Sequence, residues 1–230
     1  MTLQIGLVGS DGIVLASDRL VNVYEGGDYT LSLRSKFYSN DGVVCCWSGD
    51  AVARHAAAYV SDSEWSDTDR DKQLRSCSDR AWQLQFGTLK VPMVQQMTRR
   101  KLLVAFPSDC SLWEVELSDS SLAERVLDKT VAGSDRTTIK HLINNYVPRD
   151  SVSVDRLVLI AAHAILIGHR EQNGDIDGLQ VSIIKKGEPP LFLSTEQENE
   201  LIKRSSAIHN LLSEQLLQPF DYRPVTPKQS

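Results

Sequence analysis

Residues 1–18 constrain the fold more than any other stretch, because two apolar runs face each other across a turn. Leu3, Ile5 and Leu7 alternate with Gln4 and Gly6, and Ile13, Val14, Leu15 and Ala16 follow the segment Gly9-Ser10-Asp11-Gly12. Alternation of period two, a glycine-bracketed turn and a second apolar run predict a β-hairpin, with glycine supplying positive φ in the turn. Folding the second run onto the first returns Asp18 to the neighbourhood of Thr2. A carboxylate is therefore expected beside the chain terminus.

With Met1 removed, Thr2 would carry an α-amine and a hydroxyl on one residue. An α-amine titrates near ~8, so a fraction is neutral around neutral pH, and a Thr hydroxyl with an N-terminal amine is a known nucleophile and base pair. A single methionine precedes Thr2, so exposure is expected to need methionine excision, which a small second residue permits. The plain alternative is a surface threonine and a solvated aspartate at the end of an ordinary hairpin.

Lys36 is the first lysine in the chain, and the next is Lys72. Any ammonium contributed early in the fold is Lys36. Placed against Asp18 beneath Thr2, it would lower the pKa values of both the amine and the hydroxyl. The competing reading is a solvated lysine at a strand end. Further on, Val43-Val44-Cys45-Cys46-Trp47-Ser48-Gly49 runs into the helix-forming Asp50 to Tyr59. Backbone N–H groups at such a junction lack intrahelical partners, which makes Gly49 N–H a candidate oxyanion donor; connector glycines of this kind are also ordinary.

The remaining pattern predicts helices over Lys72–Leu84, Arg136–Tyr146, Ser153–Glu171 and Thr195–Leu217. Strands are expected at Leu102–Phe106, Leu112–Leu117, Thr130–Ala132, Leu179–Lys185 and Leu191–Leu193. A loop signal stands at Gly26-Gly27-Asp28, and the acidic, Ser-rich stretch from Ser61 to Asp71 is expected to be a loop or a frayed helix end. The segment Leu157–Ile167 is apolar almost all round and must be covered on every side, by a sheet on one face and by a second helix layer or a neighbouring subunit on the rest. His163 within it is expected to be a hydrogen-bonded core histidine. Hairpins separated by paired helices do not make a βαβ alternation. They fit an α+β chain with two stacked sheets between two helical layers, a four-layer αββα sandwich. Residues 1–218 are expected to form one domain, with 219–230 as a flexible tail.

Composition excludes several function classes. A net charge of −5 and a pI near 5.6 argue against nucleic-acid and anionic-membrane surfaces. The longest apolar run is too short to span a bilayer, and no signal-peptide pattern is present. Cys45, Cys46, Cys77 and Cys110 form no CxxC pair and no metal-ligand spacing, so no metal or cofactor is expected. Cys45 and Cys46 fit as small core hydrophobes, and a reducing cytoplasmic compartment is expected.

Five stretches together carry a family resemblance: Gly12-Ile13-Val14-Leu15-Ala16-Ser17-Asp18-Arg19, Lys36, Cys45-Cys46-Trp47-Ser48-Gly49-Asp50-Ala51, Ala132-Gly133-Ser134, and the helix Ser153–Glu171. The chain resembles proteasome β-subunit-type N-terminal-nucleophile (Ntn) hydrolases, nearest to the bacterial proteasome-like proteins. The resemblance implies the Ntn-hydrolase fold and hydrolysis of peptide bonds through an acyl-enzyme ester. It implies Thr2 as nucleophile, its own amine as base, Asp18 orienting Lys36, Gly49 as oxyanion donor, and Ser134 holding the amine and a water. Arg19 would support the site, and Leu20, Val21, Trp47 and Ala51 would line the substrate pocket, with the Trp47 indole making it shallow. The implied partners are copies of the chain in stacked homo-oligomeric rings and a peptide or unfolded-protein substrate.

The chain also departs from the family pattern. The connection from Asp18 to Lys36 is longer. The stretch Glu171-Gln172-Asn173-Gly174-Asp175-Ile176-Asp177-Gly178 is longer and more acidic, with Glu171 standing for an aspartate and Asp177 where a serine is expected. Carboxylates beside the Thr2 amine would hold it protonated and cost activity. Two other functions therefore stay open beside the threonine peptidase: a ring-forming scaffold with a silent site, and an amidohydrolase acting on small non-peptide amides.

Overall fold

The computed structural model describes residues 2–25, 28–66, 68–87, 100–118, 121–133, 137–147, 152–171 and 177–216. Strands β1 (Leu3–Val8) and β2 (Gly12–Ser17) form the expected hairpin, with Gln4 opposite Ser17 and Val8 opposite Ile13. The turn glycines work by a different means from the one expected. Neither adopts a left-handed φ; a Cβ on Gly9 would sit 2.7 Å from the Val152 carbonyl oxygen, and one on Gly12 would sit 2.3 Å from that of Ile184. Close backbone approach, not turn geometry, requires glycine there.

β1 and β2 belong to a five-stranded antiparallel sheet with β10 (Lys129–Gly133), β11 (Gln180–Lys185) and β12 (Leu191–Phe192), in the order β10-β1-β2-β11-β12. A second five-stranded antiparallel sheet runs β5 (Phe37–Asn40), β6 (Val43–Ser48), β7 (Arg100–Phe106), β8 (Ser111–Leu117) and β9 (Leu122–Val126). β9 carries no strand signal: Ala123, Glu124 and Arg125 favour helix. It pairs nonetheless as an edge strand, burying Ala123 and leaving Glu124 and Arg125 to solvent. Between Asp18 and Lys36, β3 (Leu20–Glu25) and β4 (Asp28–Leu33) pair as a two-stranded antiparallel ribbon.

Three buried clusters explain how the sheets are covered. Ile13 and Leu15 of the first sheet pack with Val44, Cys46, Leu103 and Leu112 of the second. The opposite face of the first sheet, with Leu3, Ile5, Leu7, Val14 and Val181, packs on α3 (Thr137–Tyr146) and α4 (Val154–Glu171). The opposite face of the second, with Val43, Cys45, Trp47 and Val104, packs on α1 (Ala51–Asp62) and α2 (Arg70–Phe86). Helix α5 (Thr195–Leu216) adds Leu201 and Ile202 to the α4 side. Ser194 and Gln197 cap it reciprocally, with Gln197 N–H donating to Ser194 Oγ at 3.3 Å and Ser194 N–H to Gln197 Oε1 at 2.9 Å.

The apolar body of α4 is thus enclosed by the first sheet, α3 and α5. His163 bonds Ser205 Oγ of α5 through Nδ1 at 2.7 Å. Among the described residues no helix is long and apolar enough to cross a membrane. The tail expected at 219–230 lies outside the described residues.

Candidate active site

Register brings the site together at one end of both sheets. Leu3 lies opposite Gly133, and Gln4 opposite Ser17, which in turn faces Gln180, so β1, β2, β10 and β11 all end or begin at Thr2. In the second sheet Phe37 faces Cys46, and Trp47 N–H donates to the Lys36 carbonyl at 3.2 Å. Lys36 therefore stands just ahead of β5, level with Trp47, which lies two residues before Gly49.

Asp18 leaves β2 with both carboxylate oxygens engaged. Oδ1 accepts Leu3 N–H at 2.8 Å; Oδ2 accepts Leu20 N–H at 3.1 Å and Lys36 Nζ at 2.7 Å. The same ammonium donates to Thr2 Oγ1 at 3.0 Å. Asp18 and Lys36 are both fully buried, while Thr2 is half-buried. Burial pushes the Asp18 carboxyl above its ordinary value, against the pull of Lys36 and the two N–H donors. Burial likewise pushes the Lys36 ammonium down, against Asp18. An ammonium held this way gives up or shares a proton more easily than a solvated lysine. Beneath it, burial raises the Cys46 thiol to about 12, so this sulfur stays neutral and competes with no nucleophile.

Gly133 fixes the back of the site. Its φ is +109°, and a Cβ there would lie 1.9 Å from the Thr2 carbonyl oxygen. No other residue type fits that close approach. Ser134, the next residue, lies outside the described residues, as do residues 172–176 of the acidic stretch. Glu171 is exposed at the end of α4. Asp177 contributes through its backbone: its carbonyl accepts Arg19 N–H at 2.7 Å, while its carboxylate accepts Gly178 N–H at 2.7 Å and lies 3.9 Å from His169 Nδ1. Arg19 also accepts Arg34 N–H at its carbonyl (2.8 Å) and lies 3.7 Å from the buried Glu198 carboxylate on α5.

The residues expected to line the pocket divide between surface and interior. Ala51 is exposed at the start of α1 and Val21 is half-buried. Leu20 is 8% exposed and Trp47 6%, the indole packing with Ala53, Ala56, Leu102 and Val21. Gly49 links β6 to α1 with φ of +119°.

Several residues that hold the site carry no local sequence signal. Gln180 Oε1 accepts Lys36 N–H at 3.2 Å and its Nε2 donates to Ser35 Oγ at 3.0 Å, tying β11 to the residues just ahead of β5 across 144 positions. Ser17 Oγ donates to the Asp18 carbonyl at 3.0 Å. Such contacts follow only from strand register.

No family model matches the chain, and no curated protein does. Solved structures do match. The Gly-1 mutant of Anbu from Hyphomicrobium sp. strain MC1 superposes with a TM-score of 0.64 at 12% identity, over 96% of this chain and 100% of that one. Anbu from Yersinia bercovieri, described as an ancestral β-subunit, superposes with a TM-score of 0.66 at 14% identity and the same coverage. The chain shares the fold of these Anbu β-subunits along nearly its whole length.

Proposed function

We propose that the chain is a proteasome β-subunit-type threonine hydrolase that cleaves peptide bonds, with Thr2 as nucleophile once Met1 is removed. The observation that carries this reading is the Lys36 ammonium within hydrogen-bond reach of both Thr2 Oγ1 and the buried Asp18 carboxylate. In the proposed cycle the Thr2 amine takes the proton from Oγ1, and Oγ1 attacks the substrate carbonyl carbon. Lys36 stabilises negative charge on the attacking oxygen, and Gly49 N–H receives the oxyanion. The amine passes its proton to the leaving amide nitrogen, and water then hydrolyses the Thr2 ester. Ser134 is proposed to hold the amine and that water.

The finer architecture belongs to the same reading: residues 1–218 as one four-layer αββα domain, 219–230 as a tail, and copies stacked in rings in the cytoplasm around a peptide or unfolded-protein substrate. The likeness to Anbu supports it. The test is turnover of fluorogenic peptides with varied P1 residues by the native assembly, its size measured by native mass spectrometry. Cleavage lost in Thr2→Ala with the assembly retained is the expected result. An intact ring that turns over no peptide would favour the silent scaffold, and an active monomer limited to small amides would favour the amidohydrolase.

A further inference from the structure

Away from Thr2, Arg100 at the start of β7 is held by an unusual number of partners. It is 1% exposed. Nε donates to both carboxylate oxygens of Asp50 at 2.8 Å, and Nη2 donates to Oδ2 at 2.6 Å. The guanidinium also lies over two rings of α2, 5.3 Å from the Trp82 centroid and 5.6 Å from that of Phe86. Asp50 in turn caps α1, its Oδ1 accepting Val52 N–H at 3.0 Å. An N-cap aspartate needs no arginine to do this.

The geometry around Gly49 shows what the arginine adds. A Cβ on Gly49 would lie 3.0 Å from Arg100 Cγ and 3.1 Å from its Cα. Gly49 is therefore packed directly on the stem of the side chain whose head grips the next residue. Head and stem together leave the peptide between Ser48 and Asp50 little freedom to rotate. Charge matters as well. The Asp50 side chain is 41% exposed and adjoins Gly49, and a bare carboxylate there would oppose an oxyanion forming at Gly49 N–H. Bidentate pairing with Arg100 cancels it, leaving the positive end of α1 to act alone.

We propose that Arg100 is a positioning residue for the oxyanion donor: through Asp50 it fixes the direction of the Gly49 N–H and neutralises the neighbouring carboxylate. This rests on the reading of Gly49 given above. A merely structural arginine would tie α1 to β7 and α2 without altering the acylation step.

The test uses the full chain with Met1 removed and two readouts. The first is hydrogen exchange across residues 47–55, which is independent of activity. The second is the rate and the binding constant for covalent modification by a peptide epoxyketone, whose ketone oxygen becomes an oxyanion on attack. Removing an oxyanion donor outright costs on the order of 100- to 1,000-fold. Arg100→Met, which only misaligns it, should accelerate exchange at Val52 and Arg54, whose N–H groups bond Asp50 in the first turn of α1, and slow modification about 10- to 100-fold, with binding changed less than about 3-fold.

Adding Asp50→Asn to Arg100→Met should recover part of the rate while exchange stays fast, because the charge is gone but the grip is not restored. Should Arg100→Met fail to fold, Arg100→Lys tests the grip alone: a lysine keeps the charge but cannot supply the planar fork, so exchange should still accelerate and modification still slow, and adding Asp50→Asn should recover nothing. Wild-type exchange and wild-type modification rate in these variants would overturn the proposal. A wild-type protein that takes no adduct would instead remove the hydrolase reading, and the catalytic role of Arg100 with it, whatever the exchange shows.

Discussion

Replacing Lys36 with Met separates the energetic and chemical roles of the buried pair. The substitution keeps side-chain length but removes the ammonium, leaving the fully buried Asp18 carboxylate with only the N–H groups of Leu3 and Leu20. Breaking a buried ion pair on one side costs about 3–5 kcal/mol. For a chain of this size that lowers the melting temperature by about 6–20 °C. Asp18→Asn in the same background removes the bare charge and should restore most of the loss, although the pair's chemistry is gone in both variants.

The pH dependence gives a sign that packing damage would not. Burial already holds the Asp18 carboxyl above 3.8, and loss of Lys36 removes the main influence opposing that rise. A group with a raised native pKa contributes stability that is present below its unfolded value and lost as pH rises through the native one. The deficit of Lys36→Met relative to wild type should therefore be largest near neutral pH and shrink as pH falls toward about 5. Urea unfolding followed by tryptophan fluorescence at about pH 7.5 and about pH 5, in matched oligomeric states, measures both. A deficit below about 1 kcal/mol at neutral pH, or one that grows on acidification, would refute the reasoning.

Other perturbations address separate parts of the account. Gly133→Ala places a methyl group against the Thr2 carbonyl at a left-handed φ, so it should cost at least about 2 kcal/mol and abolish covalent modification; thermal melts and intact mass check it. Trp47→Ala should cost about 3–5 kcal/mol, since the indole fills the cluster beneath α1, and a widened P1 profile in the surviving fold would assign it to the pocket. The modification rate should rise with pH through the α-amine ionisation near ~8 and fall again as Lys36 deprotonates below its ordinary 10.5. A flat profile over that range would contradict the roles given to both groups.

The hairpin was legible because β1 alternates cleanly and its turn is short, and Lys36 because no other lysine precedes residue 72. β6 was harder to orient. Every residue from Val43 to Ser48 is buried, so alternation is invisible even though Cys45 and Trp47 face α1 and α2 while Val44 and Cys46 face the other sheet. The position of Trp47 two residues before Gly49 carries no sign of how deeply its indole is enclosed, which the packing with Ala53, Ala56 and Leu102 decides. β9 escaped notice because pairing with β8 overrides its helical composition. Gln180 reaches Lys36 and Arg100 reaches Asp50 across long stretches of chain, contacts that follow only from the register of the folded sheets, while Glu198 meets Arg19 from α5.

The central claim is that Thr2, freed of Met1, is a covalent nucleophile supported by Lys36. Intact mass of the native protein before and after a peptide epoxyketone tests it without any guess about substrate. The account predicts a starting mass lacking Met1 and one adduct, absent in both Thr2→Ala and Lys36→Met. Retained Met1, or an adduct that persists in Thr2→Ala, would contradict it.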